Sequence, residues 1–149
     1  MNKNTIFNAL LIGCPAAAIV LASGAKSVRI YDRAADVSTY QSYFALLPEN
    51  AFAISTVLAM GLAIFALAFA IAYVVTGNAK QLRVIYLLTF ASVFAAEIPT
   101  LLQNELLILP NPLVPILLIV CCAMAYFKMK KPQTEEKKQT KGKRLQPRG

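Results

Sequence analysis

Long apolar runs alternate with short polar connections along this chain. Three runs have membrane length as they stand: TIFNALLIGCPAAAIVLASGA (about 5–25), AFAISTVLAMGLAIFALAFAIAYVV (51–75) and VIYLLTFASVFAAEIPTLL (about 84–102). The fourth, PLVPILLIVCCAMAYF, is short, but the apolar residues Leu106 to Leu109 extend it back to about 106–127. A helix needs ~20 mostly apolar residues to cross a ~30 Å hydrocarbon core. The second run carries no charged side chain at all. The pattern predicts an all-α integral membrane protein, with four transmembrane helices in a bundle. Pro110, Pro112 and Pro115 fall where the fourth span would begin and are expected to bend its first turns.

Two polar stretches frame this membrane domain of residues 1–127. The loop 26–50 connects the first two spans. Within its TYQSYFALL, Tyr40, Tyr43, Phe44 and Leu47 recur at i, i+3, i+4 and i+7, the spacing of one helical face. This predicts either a short interfacial helix ended by Pro48 or an irregular loop whose aromatics rest on the bundle. Residues 128–149 form a polar, low-complexity tail nearly free of large apolar residues, which predicts disorder.

Charge gives the threading. The net charge of +8 sits in the tail, where Lys128, Lys130, Lys131, Lys137, Lys138, Lys141, Lys143, Arg144 and Arg148 face only Glu135 and Glu136. The surplus therefore describes a polybasic tail and not a face for nucleic acid. With four crossings, all 15 Lys and Arg except Lys26, Arg29 and Arg33 fall on one side. The positive-inside rule then predicts that both termini are cytoplasmic. Tyr73, Tyr86 and Tyr126 each fall near an inner end of a span, as amphipathic rings at an interface should. LIGC at Leu11 to Cys14 resembles a bacterial lipobox, but Pro15 follows and the apolar run continues to Ala22. An uncleaved first span is the expectation. The absence of N-x-S/T sequons from the outer loop fits a prokaryotic cell membrane.

Packing is expected to use small residues, because lipid supplies no hydrophobic drive for helix association. Ser55, Ala59, Ala63, Ala66 and Ala70 make one small-residue face on the second span, which suggests a central position for it. Gly13 with Ala17, and Ala91 with Ala95, repeat the small-xxx-small spacing.

Candidate chemistry is sparse. Glu97 is the one acid within a span, about two-thirds of the way to the outer end. An ionised acid at mid-membrane costs roughly 2.5–3.5 kcal/mol on insertion scales, and less toward the interface. Pro99 lacks an N–H and leaves the carbonyl of Ala95 open to a polar partner. Glu97 is thus a candidate ion-responsive group, with Ser55, Thr56 and Ser92 as candidate lining residues. The competing reading is an acid at the outer boundary that reaches water or pairs with Arg29 or Arg33. The chain has no His, and no Lys or Arg lies inside a span, so a proton relay has no further members. Cys14, Cys121 and Cys122 lack C-x-x-C spacing and read as packing residues. No metal site, cofactor or catalytic constellation is expected. Lys128, Lys130 and Lys131 follow the fourth span directly and are candidates for contact with anionic lipid.

Together these features predict a small non-enzymatic multi-pass protein acting as an accessory, scaffold or interaction subunit. Its partners would be membrane lipids and either another protein or further copies of itself. The alternative is a small oligomeric transporter or channel in which Glu97 responds to a proton or cation.

Overall fold

The computed structural model describes the backbone of residues 3–44, 52–101 and 106–144, and side chains within 4–44, 54–98 and 107–130. The elements in order are α1 (Lys3–Ser23), β1 (Val28–Asp32), β2 (Val37–Gln41), α2 (Phe52–Thr76), α3 (Ala79–Leu101), β3 (Leu106–Pro110) and α4 (Leu113–Arg144). Four helices are long and apolar enough to cross a membrane, over Asn4–Ser23, Ile54–Thr76, Ala79–Ile98 and Leu113–Lys130. Each packs on its two neighbours around a ring, α1 on α2, α2 on α3, α3 on α4 and α4 on α1. The expectation of a central second span is therefore corrected: α2 is one side of a four-membered ring.

On α2 the inner face is built mostly from small side chains and the outer face from large ones. Ala59, Ala63, Ala66 and Ala70 of α2 are fully buried, whereas Ile54, Leu58, Ile64, Phe65 and Ile71 face outward. This is the arrangement that close backbone approach demands where the surroundings are as apolar as the core. On α1 the buried stripe is Leu11, Cys14, Ala18 and Ala22. Gly13 and Ala17 lie on its exposed side instead, so that pair does not make the contact its spacing suggested.

Pro15 lies inside α1 and is buried. It removes the amide that would bond the carbonyl of Leu11, four residues back. The thiol of Cys121 on α4 donates to that same carbonyl, with Sγ 3.6 Å from the oxygen. A buried proline and a buried cysteine on different helices thus answer one another. Across the next interface, Ser92 of α3 donates to the carbonyl of Ala59 on α2 at 2.6 Å.

The connection between α2 and α3 is two residues long. Gly77 adopts φ +68°, and its N–H bonds the carbonyl of Tyr73 at 2.8 Å, an αL helix stop that glycine favours. Asn78 then opens α3, its Oδ1 accepting from the N–H of Lys80 at 3.0 Å, as an N-cap does. Because of this cap α3 begins at Ala79, ahead of the apolar stretch that starts at Val84.

Four further expectations are corrected. The protein is not all-α: the loop after α1 is a β-hairpin, and β1 also pairs antiparallel with β3, giving a three-stranded sheet of order β2-β1-β3. The interfacial helix expected over TYQSYFALL is absent, since Tyr40 belongs to β2; Leu47 and Pro48 lie outside the described residues. The fourth span does not begin at Leu106, because Leu106–Pro110 is the strand β3 and the helix starts at Leu113. Finally, α4 continues without a break to Arg144, so most of the tail expected to be disordered is helical.

The sheet is half-buried in the usual alternating way. Val28 and Ile30 of β1 and Ile108 of β3 turn onto the bundle, with Ile30 opposite Ile108 in register. Arg29 and Leu109 turn away. Asp32 holds the hairpin loop by accepting from the N–H groups of Ala34 and Ala35 at 2.9 and 3.2 Å, an Asx turn.

Candidate functional site at the sheet end

The end of the bundle that carries the sheet is closed by Tyr43. Its side chain is fully buried among Ala18, Ala22, Met60, Ala96 and Leu118, with Val28, Ile30 and Ile108 of the sheet in the same cluster. Its N–H bonds the carbonyl of Ala22 at the end of α1 at 3.1 Å. Its hydroxyl donates to the carbonyl of Asn111 at 3.4 Å.

Asn111 and Ser27 tie the remaining backbone ends together. The N–H of Asn111 bonds the carbonyl of Ser27 at 2.8 Å. The Oδ1 of Asn111 accepts from the N–H of Leu113 at 3.0 Å and so caps α4. The buried hydroxyl of Ser27 lies within reach of the carbonyls of Gly24, Ala22 and Gln41 at 2.7, 2.8 and 3.4 Å. Helix ends leave backbone groups unmatched, and here the end of α1, the start of α4 and two strands satisfy each other.

Glu97 stands beside this plug. It lies near the end of α3, four residues before the helix stops at Leu101. It is half-buried and lines a hollow of about 350 Å³ with Val93, Leu109, Pro110, Pro115 and Ile116. Burial pushes the Tyr43 hydroxyl far above its ordinary value, and the negative charge of Glu97 pushes it in the same direction. Tyr43 therefore keeps its proton and remains a hydrogen-bond donor.

Ser92, one of the residues nominated as lining, is turned away from the hollow beside Glu97. Ser92 is fully buried and bonds α2 through Ala59, whereas Glu97 faces α4 and β3. Thr56 is buried and Ser55 half-buried; both are on α2 and both have partners. Thr89 bonds back to the carbonyl of Ile85 in its own helix at 2.7 Å. Among the described residues, no buried side-chain nitrogen or oxygen lacks a partner. Ser92 thus ties α3 to α2.

The opposite end carries the basic residues. Lys128 turns back onto the bundle, its Nζ donating to Asn8 Oδ1 at 2.7 Å and lying 5.0 Å from the ring of Tyr73 and 5.8 Å from that of Phe7. One ammonium thus joins α1, α2 and α4 by a charged hydrogen bond and cation–π contacts. Lys130 is exposed, its Nζ 5.8 Å from the Tyr126 ring. Lys131 belongs to α4, but its side chain is outside those described. Among the described residues no three His, Cys, Asp or Glu gather as metal ligands.

The sequence does not single out Ser27, Asn111 or the pairing of Lys128 with Asn8, and it marks Tyr43 only as one of four residues at helical spacing. The alternation in VRIYD (Val28–Asp32) was the available signal for the sheet, and with it for Tyr43. No family model, curated protein or solved structure matches this chain.

Proposed function

We propose that this is a small non-enzymatic membrane protein that acts as an accessory or interaction subunit, with the three-stranded sheet as its contact surface. The observation that carries the reading is a sheet fastened to the bundle by the buried Tyr43 while Val37, Tyr40 and Phe44 point outward, 51%, 53% and 38% exposed. An edge strand bearing β-branched and aromatic side chains can take a partner by strand addition or side-chain packing. The interior supports the same reading, since two apolar clusters fill it and its polar groups serve helix contacts.

In this reading the protein resides in a prokaryotic cell membrane with both termini cytoplasmic and the sheet outside. The clustering of Lys80, Arg83, Lys128 and Lys130 at the end opposite the sheet supports that threading. Val37→Lys with Tyr40→Ala should abolish capture of a partner cross-linked to the sheet, while the bundle stays folded. Unchanged cross-linking in that variant would overturn the assignment of the surface.

Glu97 favours one second reading, an oligomeric transporter or channel responsive to a proton or cation. A half-buried acid lining a hollow near the sheet end of α3 is the feature behind it. It requires flux by the purified protein in vesicles, lost in Glu97→Gln at undiminished expression.

A further inference from the structure

We propose that the outward-facing groove between α3 and α4 binds one anionic phospholipid, with an acyl chain in the groove and the phosphate at its mouth between Arg83 and Lys130. This goes beyond the reading of the sheet as a contact surface and stands independently of it. The groove encloses about 530 Å³, and Tyr86, Phe90 and Val93 of α3 face Ile119, Ala123 and Tyr126 of α4 across it. Its lining is carbon almost throughout, apart from the Cys122 thiol and the phenol hydroxyls of Tyr86 and Tyr126. Val93 and Ile119 also line the hollow beside Glu97, so the two depressions adjoin along the α3–α4 seam. From Tyr86 to Glu97 the cleft follows α3 for ~16 Å at ~1.5 Å per residue. That is about half of a ~30 Å hydrocarbon core, the depth of one leaflet.

Register supplies the charge. The helices run antiparallel, with Glu97 level with Pro115 and Ile116, Val93 with Ile119, and Tyr86 with Tyr126. One turn beyond Tyr86 on the same face of α3 comes Arg83, and one turn beyond Tyr126 on α4 comes Lys130. Both cations are exposed, and Lys130 lies over the Tyr126 ring that forms the groove wall. Lys128, by contrast, is turned away to Asn8. An apolar trough of leaflet depth with two cations at one end matches a diacyl lipid with a negative headgroup. A second copy fits less well, because a two-fold contact through this face would bring four cations to one level.

The test uses the full-length protein in phosphatidylcholine vesicles containing a trace of phosphatidylglycerol with a photoreactive diazirine in its acyl chain. Labelled peptides should map to α3 and α4 around Val93 and Ile119. Unlabelled phosphatidylglycerol should compete, and phosphatidylcholine should not. Arg83→Gln with Lys130→Gln should reduce the preference for phosphatidylglycerol about 25-fold, at about fivefold for each charge near the surface. Ala123→Phe should block the groove and lower labelling while both cations remain. Labelling spread evenly over the exposed faces of α1 and α2, or equal competition by both lipids, would overturn the proposal. So would Ile119→Cys homodimers trapped by mild oxidation, which would seat a second copy in the groove.

Discussion

The two ends of this bundle are closed by different chemistry. At the sheet end, neutral groups do the work: a phenol and a hydroxyl meet backbone carbonyls, and an amide oxygen meets a backbone N–H, around a fully buried ring. At the tail end, an ammonium bonds Asn8 and lies against the faces of two aromatic rings. The neutral cap depends on burial and should respond to volume and to loss of a proton. The cationic clasp is half-exposed and should respond to charge. The comparison teaches that the same four helices are joined by packing at one end and by electrostatics at the other, so each can be weakened separately.

The largest separation should come from Tyr43→Ala. Removing a buried aromatic costs about 3–5 kcal/mol, and the loss should appear as a lower unfolding midpoint with faster proteolysis of the β1–β2 hairpin. Cysteine cross-linking between α1 and α4 near Asn8 should remain intact. Next, Lys128→Met should cost about 1.5–3 kcal/mol, the range for a hydrogen bond to a charged group. It should loosen the tail end and leave hairpin proteolysis unchanged. Asn78→Ala removes the N-cap of α3 and should cost about 1 kcal/mol in the same unfolding measurement.

The smallest change in stability, and the sharpest test of mechanism, is Tyr43→Phe, because the 3.4 Å bond is long and weak. Tyr43 holds its proton above the ordinary tyrosine value. Its contribution to stability is therefore complete below pH ~10 and lost as pH rises toward the folded-state value. Tyr31, whose hydroxyl donates to Asp36 at 2.6 Å, is shifted the same way by that bond. Melts between pH 8 and 11 should decline for the parent and for Tyr31→Phe, and decline less steeply for Tyr43→Phe. A decline that persists unchanged in Tyr43→Phe would mean that the plug does not govern alkaline stability.

The helical part of this fold was largely legible, and the reason is length. A run such as 51–75 states its conformation locally, and the structure holds α2 at Phe52–Thr76. The sheet was not legible because each strand is five residues long and exists by pairing. β1 and β3 meet from opposite sides of two helices, and Leu106–Leu109 is too apolar to stand apart from the span it precedes. The helical spacing of Tyr40, Tyr43 and Phe44 was coincidental: Tyr40 is in a strand and Tyr43 points into the bundle. Glu97 was found by its charge alone. Its neighbours could not be, since Tyr43, Leu109 and Pro115 reach it from three other segments.

The two-residue stop at Gly77 and Asn78 bears on how the chain enters a bilayer. With no slack between them, α2 and α3 cannot partition one at a time; they must go in as a hairpin. The partners are unequal, with mean hydropathies of 2.5 and 1.4. On the proposed threading the greasier helix would carry the other, and Lys80 and Arg83 at the bend would stay on the side from which the pair set out. A polar spacer inserted after Asn78 would sever that cooperation. The second of the two would then depend on its own hydropathy, and its insertion efficiency in microsomes should fall while that of α2 holds.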